Sequence, residues 1–142
     1  MMKRTLLEAR IVYSRAMGLL LGEINRHGLD FILDQGKRTP SEAKWNATHC
    51  RVVVHGQRCE QPIDRHSAPH EFKPIGIAQS VHVDGLAQDL LLVKDGAIVN
   101  DRDAYAPLGA YWTGLDPMLR WGGNFKGFAD LGHFSHEWQG RS

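Results

Sequence analysis

The feature that most constrains the fold is an apolar run from Leu86 to Val93, followed at once by Lys94-Asp95-Gly96-Ala97. An Asp-Gly pair between two apolar segments is a strong signal for a tight β-hairpin turn. We therefore expect a strand, a turn and a second strand that continues to Val99. Antiparallel pairing of this kind predicts an antiparallel sheet at the centre of the molecule.

The segments around this hairpin predict helices and further strands. Apolar residues recur every three or four positions from Leu6 to Ile24, which predicts a helix that ends near Gly28. Further elements are a strand at Asp30 to Leu33, a helix from Thr39-Pro40 through Trp45, a loop from Gln57 to Gln79, a helix from Asp101 to Leu115, and a last strand after Gly122-Gly123 toward Phe134. The pattern predicts an α+β fold, in which helices flank an antiparallel sheet, and a single domain spanning residues 1–142.

The composition limits the function classes. Hydrophobic residues make up 42% of the chain and charged residues 23%, as in ordinary globular proteins, and the formal net charge is only +1. A net charge this small gives no overall field that would attract nucleic acid, so we expect no nucleic-acid partner. The start of the chain carries charges where a signal peptide needs an apolar core, and we expect a monomer without stable membrane insertion.

Asp89 is unusual because it interrupts the apolar strand. Aspartate is disfavoured in strands, and a buried carboxylate must be paired or bound to a metal. His82 stands seven residues earlier, with Gly85 and Ala87 between the two, where small residues allow a close approach. Two possible metal ligands therefore lie on one strand and on the turn that enters it.

A second cluster lies near the other end, in Asp130-Leu131-Gly132-His133-Phe134. With His133, the chain offers two histidines and one strand carboxylate, a ligand set that fits catalytic zinc and leaves one position for water. Asp130 is then a spare carboxylate beside the metal. We predict a zinc site formed by His82, Asp89 and His133.

These motifs resemble those of the M15 family of zinc peptidases. The first is Ser-x-His-x-x-Gly-x-Ala-x-Asp at Ser80 to Asp89, and the second is Asp-x-x-His-Phe at Asp130 to Phe134. A weaker match is Arg38-Thr39-Pro40-Ser41-Glu42. The family includes D-alanyl-D-alanine carboxypeptidases, vancomycin-resistance D,D-dipeptidases and phage endolysins that cleave the L-alanyl-D-glutamate bond. The resemblance implies the Hedgehog/D-Ala-D-Ala peptidase-like fold.

The resemblance also implies roles for these residues. His82, Asp89 and His133 would hold Zn²⁺, Asp130 would be the general base, and Arg38 would polarise or hold the substrate carbonyl. The implied protein is a phage-type endolysin that hydrolyses the peptide stem of peptidoglycan, made in the host cytoplasm and passing to the wall through a holin pore. A carboxypeptidase of the same family and a non-catalytic, zinc-stabilised module of a phage particle are the alternatives.

Other residues have competing interpretations. Cys50 and Cys59 with His66 and His70 could form a structural zinc finger, although the eight residues between the cysteines fit such sites poorly, and we interpret both cysteines as free thiols. His136 either lines the site or lies on the surface. Trp112 and Trp121 are expected to pack in the core or at its rim, and Trp138 either borders the cleft or packs.

Overall fold

The computed structural model describes residues 3–34, 40–62 and 80–142. The elements in chain order are α1 (Leu6–Arg26), β1 (Asp30–Leu33), α2 (Pro40–Thr48), β2 (His49–Val54), β3 (Gln57–Pro62), β4 (Ala87–Lys94), β5 (Ala97–Val99), α3 (Arg102–Leu115), β6 (Leu119–Trp121), a 3-10 turn (Gly122–Asn124) and β7 (His133–His136). The α+β fold class predicted from the sequence is confirmed. No helix within the described ranges is both long enough and apolar enough to cross a membrane.

Helix α1 begins and ends as its sequence predicts. The Thr5 hydroxyl accepts a hydrogen bond from the Glu8 N–H, and the Glu8 carboxylate accepts one from the Thr5 N–H, which forms a capping box. Gly28, just beyond the helix, has a φ of 72°, the left-handed conformation that glycine adopts without strain. The predicted apolar face packs in the core through Ala9, Leu20 and Ile24.

The main sheet is antiparallel and has the order β1-β4-β7-β6. The short strand β5 also pairs with β4, at residues 92–94. Asp95 and Gly96 both have positive φ values, 52° and 78°, so the β4–β5 connection is the predicted tight hairpin. The predicted strand at Asp30 to Leu33 is confirmed, and it pairs with residues 90–93 of β4.

The two faces of the sheet differ because side chains alternate along each strand. Leu90, Leu92 and Phe134 are fully buried on one face, where they pack with the buried residues of α1 and α3. Trp112 of α3 is fully buried on the same side and contacts Phe134 edge-on, so its predicted core role is confirmed. The opposite face carries the alternate residues of β4 and β7, Asp89 and His133 among them.

Two predicted segments differ from the structure. The expected loop beginning at Gln57 is instead strand β3 as far as Pro62, paired with β2 across a turn in which His55 and Gly56 have φ values of 50° and 78°. The polar sequence of β3 has no period-2 pattern, so pairing with β2 determines its conformation. Residues 63–79 of the predicted loop lie outside the described residues.

The last strand also differs from the prediction. A short strand, β6, precedes the Gly122-Gly123 pair, the pair itself forms a 3-10 turn, and β7 begins only at His133. Three residues are too few for a periodic pattern to identify a strand.

Candidate metal centre

A tight turn positions His82 before β4. The His82 N–H donates to the Ser80 hydroxyl at 3.2 Å, and successive backbone hydrogen bonds from Val83, Asp84 and Gly85 close the turn. Gly85 has a φ of 70°, which favours glycine at this position of the motif. The His82 side chain is only 2% exposed, so the turn holds a buried imidazole beside the start of β4.

Strand pairing positions the other two side chains. Asp89 of β4 and His133 of β7 are direct partners in the antiparallel register, so their side chains leave the same face of the sheet. The backbone near His133 is fixed on both sides: the Leu90 N–H donates to the Gly132 carbonyl and the His133 N–H donates to the Asp130 carbonyl. The sheet therefore brings together two residues 44 positions apart in the chain.

Both imidazoles converge on one carboxylate oxygen. The His82 Nε2 atom lies 3.3 Å from Asp89 Oδ1, and the His133 Nδ1 atom lies 3.1 Å from the same oxygen. One ligand atom of each of the three residues lies within 4.8 Å of the other two. His133 is 6% exposed, and the Phe125 ring lies against it at 5.4 Å between centroids.

Opposing effects act on the Asp89 carboxyl. Burial acts to raise its pKa, but the hydrogen bonds and positive charges of His133 and His82 outweigh burial and hold the pKa well below its ordinary value. Asp89 therefore stays ionised at any physiological pH. Metal binding requires an ionised carboxylate, which Asp89 supplies, together with neutral imidazoles.

The three residues fit a zinc ion. Two imidazole nitrogens and one carboxylate oxygen form a ligand set found in catalytic zinc sites, in which a fourth position is left for water. Bonds of about 2.0–2.1 Å in a tetrahedral arrangement place neighbouring ligand atoms about 3.3 Å apart. The two separations from Asp89 Oδ1, 3.1 and 3.3 Å, match that spacing, and the ligand atoms of the two histidines lie within 4.8 Å of each other.

Asp130 lies beside this group without belonging to it. Its backbone N–H donates to the Gly122 carbonyl at 2.9 Å, and the Trp121 indole N–H donates to the next carbonyl, that of Leu131, at 2.8 Å. A side chain at Gly122 would lie 2.1 Å from the Asp130 carbonyl oxygen, so only glycine allows this close approach. Sequence reasoning had no signal for this role of Gly122 and Trp121, because it depends on tertiary contact.

The pKa of Asp130 is raised, whereas the pKa of Asp89 is lowered. Burial raises the pKa of the Asp130 carboxyl, and the negative charge of Asp89 raises it further, while His133 and His82 act against this rise. A carboxylate with a raised pKa is a better proton acceptor near neutral pH. Of the two carboxyls in the metal-free protein, that of Asp130 therefore takes up a proton more readily than that of Asp89.

Other predicted residues lie away from the centre or outside the described residues. Arg38, His66 and His70 lie outside the described residues, and of the two cysteines Cys50 is buried and Cys59 exposed, both with free thiols. The substrate role of Arg38 and the zinc-finger alternative stay predictions.

His136 was expected either to line the site or to lie on the surface, and it does neither. It is 1% exposed and stands three positions after His133, so its side chain leaves the other face of β7. There its Nε2 atom lies 3.2 Å from an Arg4 nitrogen, while Arg4 donates to both carboxylate oxygens of Asp116. Trp138 is partly buried and lines a separate cavity that also contains Arg4 and His136.

Comparison of sequences finds no relative, whereas comparison of structures finds a protein with a similar fold. No protein-family model matches the sequence, and no curated protein matches it. The crystal structure of the Serratia marcescens L-Ala D-Glu endopeptidase ChiX is similar over 88% of this chain and 77% of that chain, with a TM-score of 0.58 and 18% sequence identity. At this identity the similarity establishes the fold that the two proteins share.

Proposed function

We propose that the protein is a zinc-dependent peptidase that hydrolyses the peptide stem of peptidoglycan. The observation that carries the proposal is the convergence of His82, Asp89 and His133 within 4.8 Å, with the half-buried carboxylate of Asp130 beside them. The fold shared with an L-Ala D-Glu endopeptidase supports the bond between L-alanine and D-glutamate as the one that is cleaved.

The proposed mechanism assigns separate tasks to the two carboxylates. Zinc, when bound by His82, Asp89 and His133, supplies Lewis acidity and lowers the pKa of water to about 7. Asp130 accepts the proton of the attacking water and then returns it to the leaving amine, so its carboxyl is ionised at the start and at the end of each turnover. Arg38 is proposed to hold the substrate carbonyl through its guanidinium group.

The test combines metal exchange with product analysis. Purified protein, stripped of metal and then given back Zn²⁺, is incubated with purified peptidoglycan, and the fragments are identified by mass spectrometry. We expect no products without metal, and with Zn²⁺ we expect fragments with a new D-glutamate amino terminus and L-alanine retained on the glycan. Release of free D-alanine alone would support a carboxypeptidase instead.

Variants identify the ligands. His82→Ala and His133→Ala should each lose zinc, whereas His27→Ala, which removes an exposed histidine at the end of α1, should keep it. Tight zinc binding without any wall fragments would support the non-catalytic module.

We further propose an endolysin role of the phage type, with synthesis in the host cytoplasm and passage to the wall through a holin-type pore. Expression in bacteria should then cause lysis only when a pore-forming protein is co-expressed. Lysis at the same rate without the pore would contradict this route.

A further inference from the structure

A cavity of about 330 Å³ opens beside the candidate centre. Its lining includes Asp89 and Asp130, which also belong to the centre, and it continues along β4 past Leu91 toward Asn100. The cavity therefore offers space for a substrate next to Asp89 and Asp130. Concave space continuous with reacting groups is where substrate specificity is usually determined.

Asp34 forms part of the cavity lining next to Asp89. It follows β1 directly, and its N–H donates to the Asp89 carbonyl at 2.9 Å, which continues the β1–β4 register by one residue. Asp34, Asp89 and His133 therefore form one row across three neighbouring strands, with their side chains on the same face. Sequence reasoning missed Asp34, because the pairing of β1 with β4 is not visible in the sequence.

The described part of the cavity wall carries only negative charge. Its described lining contains three carboxylates, those of Asp34, Asp89 and Asp130, and no lysine, arginine or histidine. The proposed reaction uses Asp89 as a ligand and Asp130 as the base. The Asp34 carboxylate is exposed in the cavity wall and has no hydrogen-bond or ion-pair partner among the described residues.

We propose that Asp34 is a specificity residue that binds a protonated amine of the stem peptide. An anionic wall favours a cationic group and disfavours a neutral or acidic one in the same place. Stem peptides carry such a group where their third residue is a diamino acid, and a stem released from the glycan carries a second one at its amino terminus. The inference rests on the proposed function, since it names the substrate group that the same site selects.

The test compares matched synthetic stem peptides on wild type and Asp34→Asn. One pair differs only in acetylation of the diamino-acid side chain, and a second pair only in acetylation of the α-amine. For one pair, wild type should cleave the free-amine peptide with a kcat/KM about threefold to tenfold higher than that for the acetylated peptide at low salt, mainly because KM is lower. Asp34→Asn should lose that preference, and the pair affected identifies which amine is bound.

Asp30→Asn is the matched control. Asp30 is an exposed aspartate on the same strand and the same face, paired with Val93, and it is not part of the cavity lining. It should keep the wild-type preference. An unchanged preference in Asp34→Asn, or no preference in wild type for either pair, would overturn the Asp34 inference and leave the proposed function standing. No cleavage of any peptide by the zinc-loaded wild type would instead refute the proposed function and the inference with it.

Discussion

Replacing Asp130 with asparagine tests whether this carboxylate carries a proton or holds the fold. The backbone contacts of residue 130, with the Gly122 carbonyl and the His133 N–H, do not involve the side chain and should persist. Asparagine keeps the shape of aspartate but does not accept the proton. We expect turnover to fall by about two to four orders of magnitude, equivalent to about 3–5 kcal/mol in the activation barrier.

The same substitution should not weaken folding. In the metal-free protein, burial and the neighbouring Asp89 raise the pKa of Asp130, so its ionisation opposes folding at neutral pH, and the metal-free Asp130→Asn protein should be as stable as wild type or more stable. Zinc content, thermal unfolding and wall-lysis rate are measured on purified Asp130→Asn and Asp89→Asn proteins. Asp89→Asn should lose zinc as well as rate. An Asp130→Asn protein that binds zinc and lyses walls at the wild-type rate would refute the assignment of the base.

Three further predictions concern the metal, a buried histidine and a glycine. Calorimetry with free Zn²⁺ at about 100 times its Kd should show about 2.7 kcal/mol of stabilisation, or roughly 10 °C in Tm, and His82→Ala should abolish the shift. Burial lowers the pKa of His136, so apoprotein stability in urea should fall as pH drops below about 6.5, and His136→Gln should show a smaller fall. Gly122→Ala should displace the Asp130 segment and cost about 1–3 kcal/mol, whereas Gly114→Ala, in open space on α3, should not destabilise.

Local sequence patterns predicted several elements of the fold, among them β4, which carries Asp89. The period of α1, the Asp-Gly turn and the apolar run of β4 each depend on neighbours within a few residues, and all three are confirmed. The unusual position of Asp89 within an apolar run is also a local feature of the sequence, and it indicated a partner because a buried carboxylate requires one. The structure supplies partners in His82 and His133.

Long-range pairing determined what the sequence could not predict. In the sequence, Asp34 is only a polar residue after a strand, and the pairing of β1 with β4 places it next to Asp89. The sequence likewise does not show the orientation of His136, which the alternation of side chains along β7 places on the face opposite His133. The polar strand β3 likewise depends on β2 for its conformation. Each of these features follows from register, which single-sequence patterns specify weakly.

The two carboxylates of the centre acquire different chemistry from a shared set of charges. The two imidazoles make hydrogen bonds to Asp89 and hold its pKa low, so this carboxylate stays ionised at neutral pH. In the metal-free protein, burial and the negative charge of Asp89 raise the pKa of Asp130, which is consistent with the proposed role of Asp130 as proton acceptor. Neighbouring acids whose environments push their pKa values apart commonly divide the roles of charge stabiliser and proton carrier. Neutralising Asp89 should therefore lower the pKa of Asp130 in the metal-free protein and, under the proposed function, weaken zinc binding.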